Sequence, residues 1–282
     1  MLVREVIANG TKRLKKGNSR SPGQEARWLF MHACRLSATQ LISRSDSEVS
    51  VQDSERYDNL IDRRLTGEPF QYIVGEAEFR GIRLHVDPRV LIPRPETELL
   101  VDIVLSLAED SGSRILDVGT GSGCIAIAIK KEKPTAQVVA VDCSQDALDV
   151  AEANARDAGC PIETRLIDFL LAADVESLGN FDIVVSNPPY IPQREMESLD
   201  DEVRRFEPGV ALTPGSDELL FYRTLAESAE SLLSPGGYLV VEIHSEYAER
   251  VVTLFAEADL VDREIVRDLS RKDRIVTART AR

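Results

Sequence analysis

Apolar positions in the first part of the chain recur at the spacing of an α-helix. They predict helices over four stretches, which are Leu2–Leu14, Pro22–Cys34, Ala38–Ile42 and Asp53–Leu65. Four apolar residues of the second stretch fall on one helical face, as in a packed bundle: Ala26, Leu29, Phe30 and Ala33. Residues 1–67 are therefore predicted to form a small N-terminal helical-bundle domain, with Trp28, the only tryptophan, expected in its core.

The next stretch has a different pattern. In Ala77–Val86 apolar and polar residues alternate on both sides of Arg80-Gly81, which predicts a β-hairpin that turns at this pair. The prolines of Leu91-Ile-Pro-Arg-Pro make a rigid connector, after which a helix is predicted from Pro95 to Leu107. Residues 68–94 are thus predicted to form a hairpin and Pro-rich connector, and residues 95–282 a second domain.

From Ser113 onward, β-branched apolar runs alternate with helical runs. Strands are predicted at Arg114–Val118, Val138–Asp142, Glu163–Ile167, Asp182–Ser186 and Tyr238–Ile243, and two shorter ones near Val261–Val266 and Arg274–Thr277. This order is typical of a Rossmann-like α/β domain, in which helices cover both faces of a mainly parallel seven-stranded sheet. We expect Ser234-Pro-Gly-Gly237 to form the turn into the fifth strand.

A glycine-rich loop follows the first of these strands. Asp117 precedes the loop Gly119-Thr120-Gly121-Ser122-Gly123, and a helical run begins directly after it. Glycines let the backbone approach a ligand closely, and a helix N-terminus favours an anionic group. The next strand ends at Asp142, where a carboxylate binds ribose hydroxyls in a Rossmann-like unit. The glycine spacing differs from the Gly-x-Gly-x-x-Gly of dinucleotide enzymes, so a dehydrogenase is not expected.

A second loop follows the fourth predicted strand, and its sequence is Asn187-Pro188-Pro189-Tyr190. Two prolines end strand pairing and stiffen the backbone at the sheet edge where α/β proteins bind ligands. The Asn187 oxygen and adjacent carbonyls can accept two hydrogen bonds from a planar NH₂ group, and the ring of Tyr190 can stack on it. The pattern therefore predicts chemistry on an amide or amino nitrogen.

Charge is distributed unevenly along the 282 residues. Residues 1–80 contain 13 Lys and Arg against 11 Asp and Glu, or +2, so the remainder carries −16 and the whole chain −14. A duplex-binding enzyme needs a basic groove, which makes nucleic acid an unexpected substrate for this acidic second domain. Residues 1–20 are basic, and we interpret them as a solvated helix face or a contact for a partner.

Four scattered cysteines and three histidines form no metal-ligand spacing, and no metal site is expected. The chain contains no run of 18 apolar residues and no signal-peptide pattern. We therefore expect a cytoplasmic protein with no membrane association. We also expect a monomer, although no motif in the sequence specifies the oligomeric state.

The glycine loop with its two acids resembles the S-adenosylmethionine (SAM) site of class I methyltransferases. Over nearly its whole length the chain resembles HemK/PrmC-type glutamine N5-methyltransferases of peptide chain release factors. The resemblance rests on Gly67-Glu-Pro-Phe-Gln-Tyr, Leu91-Ile-Pro-Arg-Pro-Glu-Thr-Glu98, Asp117–Gly123, Ser186–Ile191 and Arg205-Phe-Glu-Pro208.

The resemblance implies methylation of the glutamine in the Gly-Gly-Gln motif of class I release factors, with S-adenosyl-L-homocysteine as the other product. It assigns SAM binding to Asp117, Gly119, Thr120, Gly121, Ser122, Gly123, Asp142, Asp168, Phe169 and Asn187. Phe169 stands where the family often has Trp, beside the adenine. It assigns substrate binding to Asn187, Pro188, Pro189, Tyr190 and Arg94, and catalysis to Asn187, Pro188 and Tyr190. The helical domain is expected to dock the protein substrate.

Two other interpretations remain open at this point. The Asn187–Tyr190 loop also suits a nucleic-acid N-methyltransferase acting on adenine N6 or guanine N2, which would stack a flipped base on the tyrosine. A SAM-binding sensor without catalysis is the third interpretation. Such a sensor has no use for a complete amide-binding loop beside a complete cofactor loop.

Overall fold

The computed structural model describes residues 1–17, 19–171, 175 and 177–281. The chain forms two compact units. The helical unit comprises Met1–Gly75 and Asp200–Phe206, and the sheet unit comprises Glu76–Leu199 and Glu207–Arg282. The short segment Asp200–Phe206 thus belongs to the helical unit although it is distant from it in sequence.

The helical unit consists of short amphipathic helices around an apolar core. They are α1 (Val3–Lys16), α2 (Pro22–Cys34), α3 (Ala38–Ser43), α4 (Val51–Leu65), α5 (Phe70–Val74) and α9 (Asp201–Phe206). The predicted face of α2 is confirmed, because all four of its apolar residues are buried. Trp28 is not in the core: it is 46% exposed, and its ring lies 5.5 Å from that of Phe70. Helix α2 directs Trp28 away from the buried face because neighbouring positions on a helix diverge.

Ion pairs hold α9 within the helical unit. Arg20 contacts Asp200 at 2.8 Å and Arg64 contacts Glu202 at 2.9 Å. The guanidinium of Arg64 also reaches Glu25 at 3.0 Å, and the side chains of both residues are largely buried. These contacts explain why a segment next to Asn187–Tyr190 in sequence is part of the N-terminal bundle.

The sheet unit begins with a hairpin of β1 (Glu76–Phe79) and β2 (Ile82–His85). The turn at Arg80-Gly81 is confirmed, and both residues have positive φ, 49° and 67°. Two positive φ values give a turn whose twist matches the flanking strands, and glycine adopts one of them without strain.

The main sheet contains seven strands, as the sequence predicts. They are β3 (Arg114–Val118), β4 (Gln137–Asp142), β5 (Glu163–Leu166), β6 (Phe181–Ser186), β7 (Leu233–Glu242), β8 (Val261–Arg267) and β9 (Asp273–Arg279). Their order is β5-β4-β3-β6-β7-β9-β8, and the first five in this order are parallel, whereas β9 is antiparallel to both of its neighbours.

Helices flank this sheet, namely α6 (Thr97–Leu107), α7 (Cys124–Glu132), α8 (Gln145–Asp157), α10 (Leu220–Leu232) and α11 (Ala248–Glu257). Two apolar cores result, and successive residues of β3 alternate between them: Ile115 belongs to one, Leu116 to the other. A strand buried on both faces reads as a continuous apolar run, which is why β3 and β6 were predictable.

The start of β7 differs from the prediction. Ser234-Pro-Gly-Gly237 lies within β7, where Leu233 pairs with Phe181 and the next pairing joins Tyr238 to Ile183. The residues between these two pairings bulge out of the ladder, so proline and glycine interrupt the strand without ending it. The prediction of a turn before the strand is therefore wrong.

Candidate active site

The two predicted loops meet at one edge of the sheet because β3 and β6 are neighbours. Val118 at the end of β3 pairs with Ser186 at the end of β6, and the Ser186 hydroxyl donates to the Val118 carbonyl at 2.8 Å. The chain leaves β3 toward β4 on one side, whereas β6 and β7 lie on the other side. This reversal of strand order creates the crevice in which α/β proteins bind ligands.

The glycines of the first loop have two different roles. Gly119, Gly121 and Gly123 have φ of 74°, 54° and 80°, a region that strains other residues. A Cβ atom added to Gly119 or Gly121 would meet nothing within 4 Å. One added to Gly123 would lie 3.0 Å from Ile127 and 3.1 Å from Ala151. The first two glycines therefore line open space, whereas the third lets α7 and α8 pack closely.

Asp117 lies beneath this loop and is fully buried. Its Oδ2 accepts from the Thr120 hydroxyl at 2.7 Å and from the Ala126 backbone N–H at 3.2 Å. Its Oδ1 accepts no hydrogen bond from any residue that the structure describes. Burial raises the pKa of Asp117 to about 7, against the opposing effect of these two hydrogen bonds. A buried oxygen without a partner is costly, and the site is therefore ready to accept a donor from a ligand.

Asp142 ends β4 and contacts the same loop. Its Oδ2 accepts from the Gly121 N–H at 2.9 Å and its Oδ1 from the Ser144 N–H at 3.0 Å. Burial raises the pKa of Asp142, and these backbone hydrogen bonds act in the opposite direction. Each carboxylate oxygen has a second lone pair, so the group keeps acceptor capacity for hydroxyls.

Two further predicted cofactor residues follow β5. Asp168 accepts from the Leu170 N–H at 3.0 Å through Oδ1. Phe169 is 5% exposed and belongs to the same apolar core as Val118 and Val141, which are at or next to the ends of β3 and β4. Leu166 at the end of β5 pairs with Asp142, so Phe169 follows β5 at the same carboxyl edge of the sheet.

The second loop is held from beneath by polar side chains. Asn187 Nδ2 donates to Thr97 Oγ1 at 3.0 Å, and the Thr97 hydroxyl donates to Glu242 Oε2 at 2.8 Å. The Tyr190 hydroxyl donates to the other oxygen of the same carboxylate at 3.0 Å. Glu242 is fully buried, and burial raises the pKa of its carboxyl group. One carboxylate therefore supports both polar residues of the loop.

The other acceptors of this loop are free to meet a ligand. Asn187 Oδ1 and the carbonyl of Pro188 receive no hydrogen bond from residues 1–17, 19–171, 175 or 177–281. Pro188 is buried, while Asn187, Pro189 and Tyr190 are partly exposed. A planar group with two N–H bonds matches two acceptors held on one rigid loop.

Arg94 lies in the Pro-rich connector and is held by Glu207. Its guanidinium contacts Glu207 Oε1 at 2.6 Å, and Oε2 of the same carboxylate accepts from the Ile92 N–H at 3.2 Å. The Glu207 side chain is only 1% exposed. The connector is thus fixed to the residue that follows α9, and the Arg94 charge lies near enough to lower the pKa of Tyr190, which burial raises.

Sequence reasoning missed four polar residues that organise this site. They are Thr97, Asn154, Glu207 and Glu242. Asn154, in α8, donates from Nδ2 to the carbonyls of Ser122 at 2.9 Å and His85 at 3.0 Å, and so joins the glycine loop to the hairpin. Of the four, only Glu242 stands in an otherwise apolar run, which is a signal that sequence reasoning could have used. Thr97 and Glu207 lie in motifs that supported the resemblance but were given no site role of their own.

The geometry of the described part of the chain bears on two further features, a metal site and a membrane-spanning helix. No three His, Cys, Asp or Glu side chains in it converge as metal ligands. None of its helices is both long and apolar enough to span a bilayer.

Comparison with known proteins identifies the family. The model of the PrmC N-terminal domain matches residues 5–75, and that of the methyltransferase small domain matches residues 95–203. A crystal structure of a methyltransferase from Pyrococcus furiosus has a TM-score of 0.53 over 80% of this chain and 100% of that chain, at 15% identity, which supports the fold.

Curated relatives align over nearly the whole length. The release factor glutamine methyltransferase of Koribacter versatilis (strain Ellin345) is 38% identical over 280 residues, which are 99% of this chain and 99% of that protein. The protein of the same name from Neisseria gonorrhoeae (strain ATCC 700825 / FA 1090) is 41% identical over 259 residues, 92% of this chain and 94% of that protein. The chain therefore belongs to the family of release factor glutamine methyltransferases.

Proposed function

We propose that this protein transfers a methyl group from SAM to the side-chain amide nitrogen (N5) of the glutamine in the Gly-Gly-Gln motif of class I peptide chain release factors. The observation that carries the proposal is that a glycine loop bordering open space lies beside a rigid loop with two free acceptors. The curated relatives bear the name of this activity.

The first loop fits the chemical groups of SAM. The free Oδ1 of Asp117 is an acceptor for an ammonium group, and the open space at Gly119 and Gly121 admits a ligand against the backbone. Asp142 has lone pairs left for ribose hydroxyls. Asp168 and Phe169 complete the set, with Phe169 supplying an aromatic face for the adenine. Thr120 and Ser122 shape the loop that presents these groups.

The second loop fits the substrate amide. Asn187 Oδ1 and the Pro188 carbonyl accept the two N–H bonds of the glutamine, while Pro189 keeps the backbone rigid and Tyr190 stacks on the amide plane. The charge of Arg94 acts on Tyr190, and this proposal assigns Arg94 to binding of the protein substrate. Asn187 also lies next to the strand end that carries the cofactor loop, and so it contributes to both sites.

An amide nitrogen is a weak nucleophile because its lone pair is delocalised into the carbonyl. The two acceptors orient the nitrogen and stabilise the positive charge that develops on it. When bound, SAM supplies a methyl group on a sulfonium sulfur. Alignment of nucleophile and methyl group contributes up to ~7–11 kcal/mol in well-oriented systems. The nitrogen loses one proton to water once the N–C bond has formed and the methyl–sulfur bond has broken, so this set of residues needs no strong general base.

The helical unit docks the protein substrate in this proposal. Lys12, Lys15 and Lys16 of α1 are exposed and have no ion-pair partner in the described parts of the chain. Reversing two of these charges in Lys12→Glu/Lys15→Glu should raise KM for the release factor with kcat unchanged. The matched control is Lys131→Glu/Lys272→Glu, two exposed lysines of the sheet unit. An equal rise in KM for both pairs of substitutions would mean that the net charge of the protein, and not the position of these lysines, determines binding of the release factor.

The proposed activity is tested by incubating the protein with methyl-labelled SAM and, separately, a release factor, structured RNA or DNA. Label should enter the release factor and be absent when its Gly-Gly-Gln glutamine is replaced by glutamate. Label in RNA or DNA but not in the release factor would instead establish a nucleic-acid N-methyltransferase. A protein that binds SAM but transfers no label to any of them would be a sensor.

A further inference from the structure

Glu242 is a buried carboxylate at the end of β7 that the methyl-transfer scheme leaves without a role. It is fully buried, and two hydroxyl groups from different elements donate to it, Thr97 at the start of α6 and Tyr190 in the loop after β6. An ionised group is costly to bury, so two well-placed hydrogen bonds at this point suggest a use beyond packing.

The direction of these hydrogen bonds determines how the Asn187 amide is oriented. An ionised carboxylate only accepts, so the single hydroxyl proton of Thr97 is committed to Glu242. Thr97 Oγ1 can then only accept from Asn187, which must present its NH₂ group at 3.0 Å. The amide oxygen of Asn187 is thereby turned to the opposite side, where it is a free acceptor.

We propose that Glu242 is a positioning residue that, through Thr97, makes the Asn187 amide present its oxygen rather than its NH₂ group to the substrate nitrogen. The same carboxylate fixes the ring of Tyr190 by accepting from its hydroxyl. This inference rests on the proposed role of Asn187 as an acceptor for the glutamine N–H. Reversal of the Asn187 amide would set NH₂ against NH₂ and abolish that hydrogen bond.

The protonation state of Glu242 controls this arrangement. Burial raises the pKa of Glu242; the Thr97 and Tyr190 hydrogen bonds and the Arg274 charge lower it, and the Glu96 charge raises it. The titratable groups that face the carboxyl from neighbouring elements are Arg274, Glu96, Tyr190, Tyr222 and Cys124. A protonated Glu242 can donate to Thr97, which frees the threonine proton for Asn187 Oδ1. We therefore expect kcat to fall on the acid side as Glu242 becomes protonated.

Three variants separate this role from mere packing. Glu242→Gln keeps the shape but supplies an NH₂ group that can donate to Thr97. Thr97→Val keeps the shape but removes the hydroxyl, and Thr97→Ser restores it. Each is measured for kcat, KM for the release factor, SAM affinity and thermal unfolding. The kcat of Glu242→Gln and of the wild type is also followed from about pH 5 to about pH 9, because burial raises the pKa of the Glu242 carboxyl.

The proposal predicts that Glu242→Gln and Thr97→Val lower kcat at least about 10-fold, because a misdirected acceptor stabilises the transition state less well. SAM affinity and KM should stay within about threefold. Thr97→Ser should recover most of the activity that Thr97→Val loses, and Glu242→Gln should lack the acid limb of the wild type.

Wild-type kcat in Glu242→Gln, an acid limb that persists in it, or equal impairment of Thr97→Ser and Thr97→Val would each overturn the proposal. If Glu242→Gln does not fold, the proposal is decided by comparing the kcat of Thr97→Val with that of Thr97→Ser. Failure of the proposed function gives a different result, namely a wild-type protein that does not methylate the release factor at all.

Discussion

Replacing Gly121 by alanine should damage SAM binding far more than it damages the fold. Gly121 has φ of 54°, and a Cβ atom there would meet nothing within 4 Å. Gly159, which follows α8 in the same unit, has φ of 65° and the same open surroundings. The two positions are therefore matched in backbone strain and in the absence of a steric clash, but only Gly121 lies in the loop that is proposed to bind the cofactor.

The expected magnitudes follow from these geometries. A left-handed backbone costs an alanine about 1–2 kcal/mol relative to glycine, so both variants should lose that much unfolding free energy. In Gly121→Ala the added methyl group also occupies space that a ligand would fill, beside the backbone N–H that donates to Asp142. We expect the dissociation constant of SAM to rise at least about 10-fold, or about 1.4 kcal/mol.

Urea unfolding gives the stability of both variants, and isothermal titration calorimetry gives their SAM affinity. Gly159→Ala should bind SAM within about twofold of the wild type. If Gly121→Ala binds SAM as tightly as Gly159→Ala, the space beside Gly121 is not the cofactor site and the account of the loop is wrong.

Three other substitutions test separate contacts. Burial raises the pKa of Asp117 to about 7, so the folded protein keeps a proton that the unfolded chain loses near pH 4. Between pH 4 and 7 the free energy of unfolding of the wild type, measured in urea, should therefore fall by at most about 4 kcal/mol relative to that of Asp117→Asn. Parallel pH dependences of the two proteins would contradict this prediction. In Gly10→Ala the new Cβ atom would overlap the Tyr57 hydroxyl and lie 2.8 Å from its ring Cζ. The variant should therefore lose about 1–3 kcal/mol of unfolding free energy, and adding Tyr57→Phe should restore only part of this loss. Full stability of Gly10→Ala in urea would refute the contact. Arg94→Ala leaves the buried Glu207 carboxylate without its cation and should lower the free energy of unfolding by about 3 kcal/mol. Adding Glu207→Gln to this variant should recover part of the loss. Additive losses in Arg94→Ala/Glu207→Gln would argue against the ion pair.

Local sequence patterns were sufficient for much of the fold. The run Arg114–Val118 predicts β3 with the bounds that the structure has, because Ile115, Leu116 and Val118 are apolar and a glycine follows the strand. The loops after β3 and β6 could be predicted as a joint site, since parallel strands share a carboxyl edge. The seven-stranded, mainly parallel sheet, the methyltransferase fold and the family are all confirmed.

The support beneath the active site could not be predicted because it depends on strand order. Thr97 and Glu242 are 145 positions apart in sequence, and Asn187 is 90 positions from Thr97. Only the placement of β7 beside β6 and the packing of α6 bring them together. The predicted turn at Ser234-Pro-Gly-Gly237 was wrong for a related reason. Proline and glycine would end a strand locally, but pairing with β6 continues β7 through them.

The position of Trp28 shows a different limit. A lone tryptophan favours a core position by size alone, but the face of α2 that becomes buried is set by Ala26, Leu29 and Phe30, and Trp28 lies outside it. The helical period therefore outweighs the hydrophobicity of one residue.

The most direct test of the account concerns Asn187, which is proposed to orient the substrate amide. We predict that Asn187→Ala binds SAM within a few-fold of the wild type by calorimetry, because the other proposed cofactor residues, Asp117, Asp142 and the glycine loop, are untouched. Its kcat for the release factor should fall at least about 100-fold, as expected when a group that stabilises developing charge is removed. Equal losses of SAM affinity and turnover would show that Asn187 chiefly builds the cofactor pocket, and would contradict the central claim.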